Sequence, residues 1–317
     1  MIKTPISLER LRSLIEQDTN ELLQIVEHLT RTHKGNRIFT CAIINAKSGA
    51  CPENCAFCAQ SAHHKTKINI YPLLDTENIV KIAEEMHKNG ATRFSIVTSG
   101  YKLKQEEIES IAKTIRLIKE KVGIRTCASL GMLDEDMAQT LKDAGLERYH
   151  HNLETSKSFF PNICTTHEYE EDIETIHIAK EAGLKVCSGG IMGLGEDWEQ
   201  RIELAITLGE LDVDSIPINF LNPIPGTRLQ HMKPMLPEDA LKCIAIFRIL
   251  NPEKDITICG GREVTLKELQ SELFAAGANG IMIGNYLTTK GRGIKEDMEM
   301  IKKLGLRLEV EDEKARA

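Results

Sequence analysis

Eight short runs of β-branched and apolar residues recur along the chain, each followed by a loop and a segment with an apolar helical stripe. The runs are 38–44, 92–98, 123–129, 147–153, 184–190, 214–221, 255–260 and 279–284. Helices are predicted between them over 76–89, 105–121, 134–143, 168–181, 197–208, 237–249 and 265–276. Ile108, Ile111, Ile115 and Ile118 show the required three-to-four-residue spacing. Asp75 and Asp134 are placed as N-caps and Pro237 as a first helical residue. Gly90, Gly145, Gly183, Gly209 and Gly277 are placed to close helices. Strands that alternate with helices demand a parallel sheet, and eight of them favour closure. The expected fold is α/β, a (β/α)8 TIM barrel over 37–317 with an N-terminal helical extension over 1–36. Leu8, Leu11, Leu14 and Ile15 give that extension its amphipathic steps. A doubly wound open sheet is the rival, but it normally carries a glycine-rich phosphate loop after strand one. Gly193 and Gly195 resemble such a loop only superficially, since they follow strand five and lack the downstream acid.

In a barrel of this kind, chemistry belongs at the C-terminal ends of strands. The loop after strand one reads KSGACPENCAFCAQS, placing Cys51, Cys55 and Cys58 in a CxxxCxxC motif. Three thiolates in one loop suit a soft metal. Two readings follow. A structural zinc would recruit His63 or His64 as fourth ligand. A [4Fe–4S] cluster would keep one iron open for a small ligand. The full count of nine cysteines is odd, which speaks for metal binding or burial rather than a disulfide framework. No run approaches the roughly 18 apolar residues of a membrane span. The start carries acids and no apolar signal core, so the expected compartment is cytoplasmic and reducing. A net charge of −7 disfavours nucleic-acid binding through a basic face.

The CxxxCxxC spacing resembles that of the radical S-adenosylmethionine superfamily. Over roughly residues 38–306 the chain further resembles the biotin synthase family. That resemblance rests on NAKSGACPENCAFCAQS (45–61), YHHNLETS (149–156), KVCSGGIMGLGE (185–196), SIPINFLNPIPGT (215–227) and CGGRE (259–263). It implies an enzyme, a sulfurtransferase that inserts sulfur into dethiobiotin to make biotin. S-adenosylmethionine would bind the open iron, and one electron from a flavodoxin or ferredoxin would release a 5′-deoxyadenosyl radical. It also implies a homodimer. Another small-molecule radical enzyme, related to the hydrogenase-maturation or methylornithine-forming barrels, is the alternative. A non-enzymatic metal-binding protein is a third reading.

Residue by residue, the resemblance assigns Asn152 and Asn219 to the ureido ring, whose two N–H groups and carbonyl match amide donors and acceptors. Asn152 and Glu154, two apart, are expected to share a face of strand four, with Glu154 near the cofactor ribose. Phe57, Gln60, Thr98, Ser99, Gly189, Gly190 and Ile191 are expected around the cofactor. The family keeps its donated sulfur in an auxiliary [2Fe–2S] cluster held by three cysteines and an arginine. Cys127, Cys187 and Arg262 match that set, but Ser95 stands at the remaining cysteine position. Cys41 on strand one and Cys259 on strand seven suggest compensation. Strands one, three and five share a parity, so Cys41, Cys127 and Cys187 are expected in one interior layer. A rearranged, four-iron auxiliary cluster on Cys41, Cys127, Cys187 and either Cys259 or Arg262 is therefore expected. The competing reading makes Cys41 and Cys259 small buried hydrophobes. The resemblance places Asp172 where the family carries an arginine that meets the methionyl carboxylate, so either another cation makes that contact, Lys65 or an arginine elsewhere, or the contact is absent.

Overall fold

The computed structural model describes residues 7–309. Its strands are β1 (Arg37–Lys47), β2 (Arg93–Thr98), β3 (Arg125–Ser129), β4 (Arg148–His150), β5 (Lys185–Cys187), β6 (Gly190–Met192), β7 (Ser215–Phe220), β8 (Asp255–Ile258), β9 (Gly280–Met282) and β10 (Arg307–Leu308). All neighbouring pairs are parallel, in the order β1-β2-β3-β4-β5-β7-β8-β9. Phe39, Thr40 and Cys41 then pair with Gly280, Ile281 and Met282, which closes the barrel. The expected fifth strand is broken into β5 and β6, and both pieces pair with β7.

Helices pack outside. Thr76–Lys88, Gln105–Lys121 and Glu135–Asp143 begin where predicted, with Asp75 and Asp134 accepting from the backbone N–H groups of Asn78 and Met137. Pro237 opens the helix Pro237–Leu250. Apolar stripes bury completely: Ile111, Ile115 and Ile118 are each 0% exposed. Burial of each such side chain favours folding by about 1.5–3 kcal/mol. The N-terminal helices α1 (Leu8–Glu16) and α2 (Thr19–Lys34) set Leu11, Leu14, Leu22 and Val26 against Ala245 and Ile246.

Four expectations need correction. Strand 147–153 stops at His150, so Asn152 and Glu154 lie in the loop beyond it. Gly209 lies inside the helix Trp198–Glu210 rather than at its end. Helix 265–276 is instead three short pieces, Arg262–Leu266, Lys267–Ser271 and Glu272–Ala275, because the backbone turns at Lys267 with φ +49°. A helix at Ile294–Lys303 had no counterpart in the sequence reading. After it, β10 pairs with the start of β1 and places Glu309 under the barrel.

Candidate functional site

The CxxxCxxC loop leaves β1 and folds back on itself. The Cys51 N–H donates to the Gln60 carbonyl and the Ala62 N–H to Cys51, at 3.1 and 2.8 Å. Backbone N–H groups of Glu53 and Gly100 point at the Cys51 sulfur, and those of Gln60 and Ser61 at Cys58. Burial pushes the Cys51 thiol up and the Cys58 thiol up to about 11, while these N–H groups favour the thiolates. Such a donor set fits a thiolate-held cluster. The zinc reading fits less well, because His63 Nε2 and His64 Nδ1 meet the carbonyls of Pro52 and Cys58, each at 2.8 Å.

Two cavities adjoin this loop. The deeper one, about 320 Å³, runs from Phe57 and Cys58 into the barrel and reaches Cys41, Cys127, Cys187 and Cys259. Register explains three of these. Cys41 aligns with Arg93, Ser95 with Cys127, and His150 with Cys187. Cys259 follows β8 and turns into the same space. Burial pushes all four thiols up, Cys127 to about 11, while Arg93 and Arg148 oppose the rise for Cys41, Cys127 and Cys187. Both guanidinium groups line the cavity. Arg93 is 4% exposed, lies 3.7 Å over the Phe39 ring, and leaves Nε without a partner.

Arg262 is not in this cavity. Gly261 adopts φ +81° and its position allows no Cβ, which would lie 1.8 Å from the Phe220 carbonyl. That tight turn sends Arg262 outward from the cysteines. Its Nη2 meets Asp297 at 2.5 Å and its Nη1 meets Gln270 at 2.7 Å, with both charged partners 0% exposed. In this structure Arg262 forms a buried ion pair that ties the β8 loop to the helix Ile294–Lys303.

Between the two cysteine sets stand Asn152, Glu154 and Asn219, which all line the deep cavity. Asn152 Nδ2 donates to Glu154 at 3.3 Å although neither lies on a strand. Asn152 Oδ1 accepts from the Gly189 N–H at 3.1 Å, and Asn219 Oδ1 from the Gly260 N–H at 3.0 Å. Each acceptor thus fixes a loop and leaves amide donors beside the cavity. Burial pushes the Glu154 carboxyl up to about 7, against the lowering pull of His150. Gly189 and Gly190 allow close backbone approach, and their near neighbours are the Pro217 and Glu154 carbonyls. Ile191 lines the deep cavity.

The second cavity, about 190 Å³, is lined by Cys51, Cys55, Phe57, Gln60, Thr98, Ser99 and Gly100. Gln60 also serves the loop, accepting from the Gly49 N–H at 3.1 Å. On its far side stand His151, His167 and Asp172. Asp172 accepts from His151 at 2.8 Å and lies 3.3 Å from His167, with its carboxyl held below the usual range. Burial would lower the His167 pKa, but Asp172, Cys164 and Glu53 push it up to about 11. The group beside Asp172 that is pushed toward its cationic form is thus the His167 imidazole. Lys65 instead hydrogen-bonds through its backbone to Gly226 and does not line this cavity. Sequence reasoning left Cys164 without a role. It is 3% exposed and its sulfur lies 3.9 Å from that of Cys55. The only prior signal was a cysteine three residues before a histidine.

Comparisons with known proteins agree with this geometry. Residues 46–208 match the Radical SAM superfamily, and residues 217–307 match the Biotin and Thiamin Synthesis associated domain. A biotin synthase of Geotalea uraniireducens is 55% identical over 284 residues, covering 89% of this chain and 85% of that protein. One from Nitratidesulfovibrio vulgaris is 52% identical, covering 91% and 82%. Among solved structures, methylornithine synthase matches with a TM-score of 0.84 at 19% identity, covering 96% of this chain and 94% of that one. An FeFe-hydrogenase maturase from Carboxydothermus hydrogenoformans gives 0.82 at 18%, covering 96% and 76%. At that identity the two structures speak for the fold alone.

Proposed function

The chain belongs to the biotin synthase family of radical S-adenosylmethionine enzymes, and from that premise we propose how its own residues divide the work. It is a biotin synthase, an enzyme acting on a small molecule. The observation that carries the division of labour is that Cys58 and the four cysteines Cys41, Cys127, Cys187 and Cys259 line one continuous cavity. Two thiol sets at opposite ends of one space suit a reaction in which one end generates a radical and the other donates sulfur.

Cys51, Cys55 and Cys58 would hold a [4Fe–4S] cluster. When bound, that cluster and S-adenosylmethionine supply a deoxyadenosyl radical, and an auxiliary cluster supplies sulfur. Cys41, Cys127, Cys187 and Cys259 would hold the auxiliary cluster, a four-thiol set in place of three cysteines and Arg262. Phe57, Thr98 and Ser99 would bound the cofactor. The Glu154 carboxylate would accept from its ribose hydroxyls. Amide donors of Asn152 and Asn219 would meet the ureido carbonyl of dethiobiotin and fix its reacting carbons between the two ends. Positioning is the main contribution, since a held near-attack geometry supplies several kcal/mol of the barrier. The barrel wall also excludes water. A flavodoxin or ferredoxin as electron donor and a homodimeric assembly complete the proposal, on the family's account.

The test is an anaerobic assay of reconstituted protein with reductant, S-adenosylmethionine and dethiobiotin, read by mass spectrometry. Biotin with 5′-deoxyadenosine supports the assignment, and deoxyadenosine without biotin, in protein shown to hold its auxiliary cluster, refutes the substrate. C41S and C259S separately test the auxiliary set. Each should lower auxiliary iron while leaving the cluster on Cys51, Cys55 and Cys58 intact by Mössbauer spectroscopy. A clean two-iron auxiliary signal in the unsubstituted protein would refute a four-iron auxiliary cluster, and auxiliary iron unchanged in both C41S and C259S would refute the four-thiol site.

A further inference from the structure

Cys164 lies outside both cysteine sets, yet it stands in a cluster of its own. Its sulfur is 3.4 Å from His167 Nδ1 and 4.0 Å from a Glu53 carboxylate oxygen, and Glu53 is 2.5 Å from the same imidazole nitrogen. All three ligand atoms lie within 4.8 Å of one another. The fourth neighbour is the Cys55 sulfur at 3.9 Å. Two thiolates bound at about 2.3 Å to a tetrahedral zinc stand about 3.8 Å apart. The separation of Cys55 and Cys164 therefore matches two corners of a mononuclear site, whereas the 2.5 Å Glu53–His167 contact is a hydrogen bond that must open to about 3.3 Å when an ion enters.

The surrounding groups are arranged as metal sites require. A ligating imidazole is usually oriented through its other nitrogen by a carboxylate. His167 Nε2 lies 3.3 Å from Asp172, which is itself held by His151 at 2.8 Å. Thr166 Oγ1 donates to Glu53 at 2.5 Å. Asn54 joins the two loops, donating to Thr165 Oγ1 at 2.7 Å and accepting from the Thr165 N–H at 2.9 Å. This brace holds the CxxxCxxC loop against residues 164–167.

We propose that, in the protein before cluster assembly, Cys55, Cys164, His167 and Glu53 bind one thiophilic divalent cation of the zinc type. Binding releases to solvent the protons held on the Cys55 and Cys164 sulfurs and on His167 Nδ1, which donates to Glu53 in the free chain, and changes no oxidation state. Cys55 is shared with the radical cluster, so the mononuclear ion and the completed [4Fe–4S] cluster exclude each other. That exclusion rests on the cluster assignment above, whereas binding of the single ion does not.

Cobalt(II) is the probe, added anaerobically to the full-length cluster-free chain. One equivalent should bind, with tetrahedral d–d bands and a thiolate-to-cobalt charge-transfer band. C164S and H167Q should each weaken binding at least tenfold, while C51S and C58S should keep it within about threefold. Thermal unfolding provides a folding control. The metal-free variants should unfold near the unsubstituted protein, and cobalt should raise only the midpoint of chains that keep the site. Reconstitution with iron and sulfide should expel the cobalt. The proposal fails if both C164S and H167Q bind as tightly as the unsubstituted chain, if C58S abolishes binding, or if cobalt stays beside a complete cluster. Biotin formation is scored independently, so this failure is distinct from failure of the sulfur-insertion assignment.

Discussion

Replacing Arg262 separates a ligand role from a structural one. The guanidinium and the Asp297 carboxylate are both 0% exposed and meet at 2.5 Å, with Gln270 as a further partner at 2.7 Å. Removing one member of a buried pair costs up to about 3–5 kcal/mol, and here leaves Asp297 with only the partly exposed Arg292 at 3.4 Å. Unfolding entropy near 2.1 cal/mol/K per residue amounts to about 0.7 kcal/mol per kelvin over the 317 residues. The R262M variant should therefore unfold about 4–7 °C lower. R262M combined with D297L should recover much of that loss, because no stranded charge remains. The assay is thermal unfolding of anaerobic protein, followed by iron and sulfide determination on the folded fraction. Auxiliary iron per folded chain should equal that of the unsubstituted protein. An R262M protein with an unshifted midpoint and missing auxiliary iron would refute the reasoning and restore Arg262 as a ligand.

Two further outcomes follow from the same geometry. The Glu154 carboxyl titrates near 7 in the folded cluster-free chain, because burial disfavours its charge, and near 4.3 when unfolded. The folded state then binds more protons between those values, so stability should fall as pH rises from about 4.5 to 7. E154Q should flatten that slope in urea titrations, and an unchanged slope would exclude Glu154 as its source. A methyl group at Gly189 would lie 1.9 Å from the Pro217 carbonyl, a clash the backbone must absorb at about 1–3 kcal/mol. G189A should unfold about 2–4 °C lower by circular dichroism, and an unchanged midpoint would show that β5 and β7 are less closely held than they stand.

The barrel was legible because its strands carry a repeated apolar signal and its helices carry caps, and neither depends on distant contacts. The triplet was legible because its three thiols lie within eight residues. Around the candidate site, the departures fall where a turn intervenes. Cys259 and Arg262 differ by three positions, and only the left-handed backbone at Gly261 decides that one faces the cysteine cavity and the other leaves it. Glu154 meets its partner Asn152 without a strand, its own backbone turning at φ +62°. Glu53 and Cys164 are 111 residues apart, so no local pattern could join them.

Charge balance in the deep cavity was hidden for the same reason, and it bears on why four thiols can serve there. Buried thiols resist ionisation, and a thiolate set in a low-dielectric wall needs compensating charge. Arg93 and Arg148 supply it from the first residues of β2 and β4. Asp255 stands 3.3 Å from Arg93 and 3.8 Å from Arg148, Lys34 joins it at 3.1 Å, and Glu309 reaches Arg93 at 3.2 Å. These contacts draw one end of each guanidinium toward the barrel floor. The other end of Arg93 keeps Nε unpartnered inside the protein. An unsatisfied buried donor is costly unless a further acceptor occupies the space it faces. An anionic cluster on Cys41, Cys127, Cys187 and Cys259 would be such an acceptor.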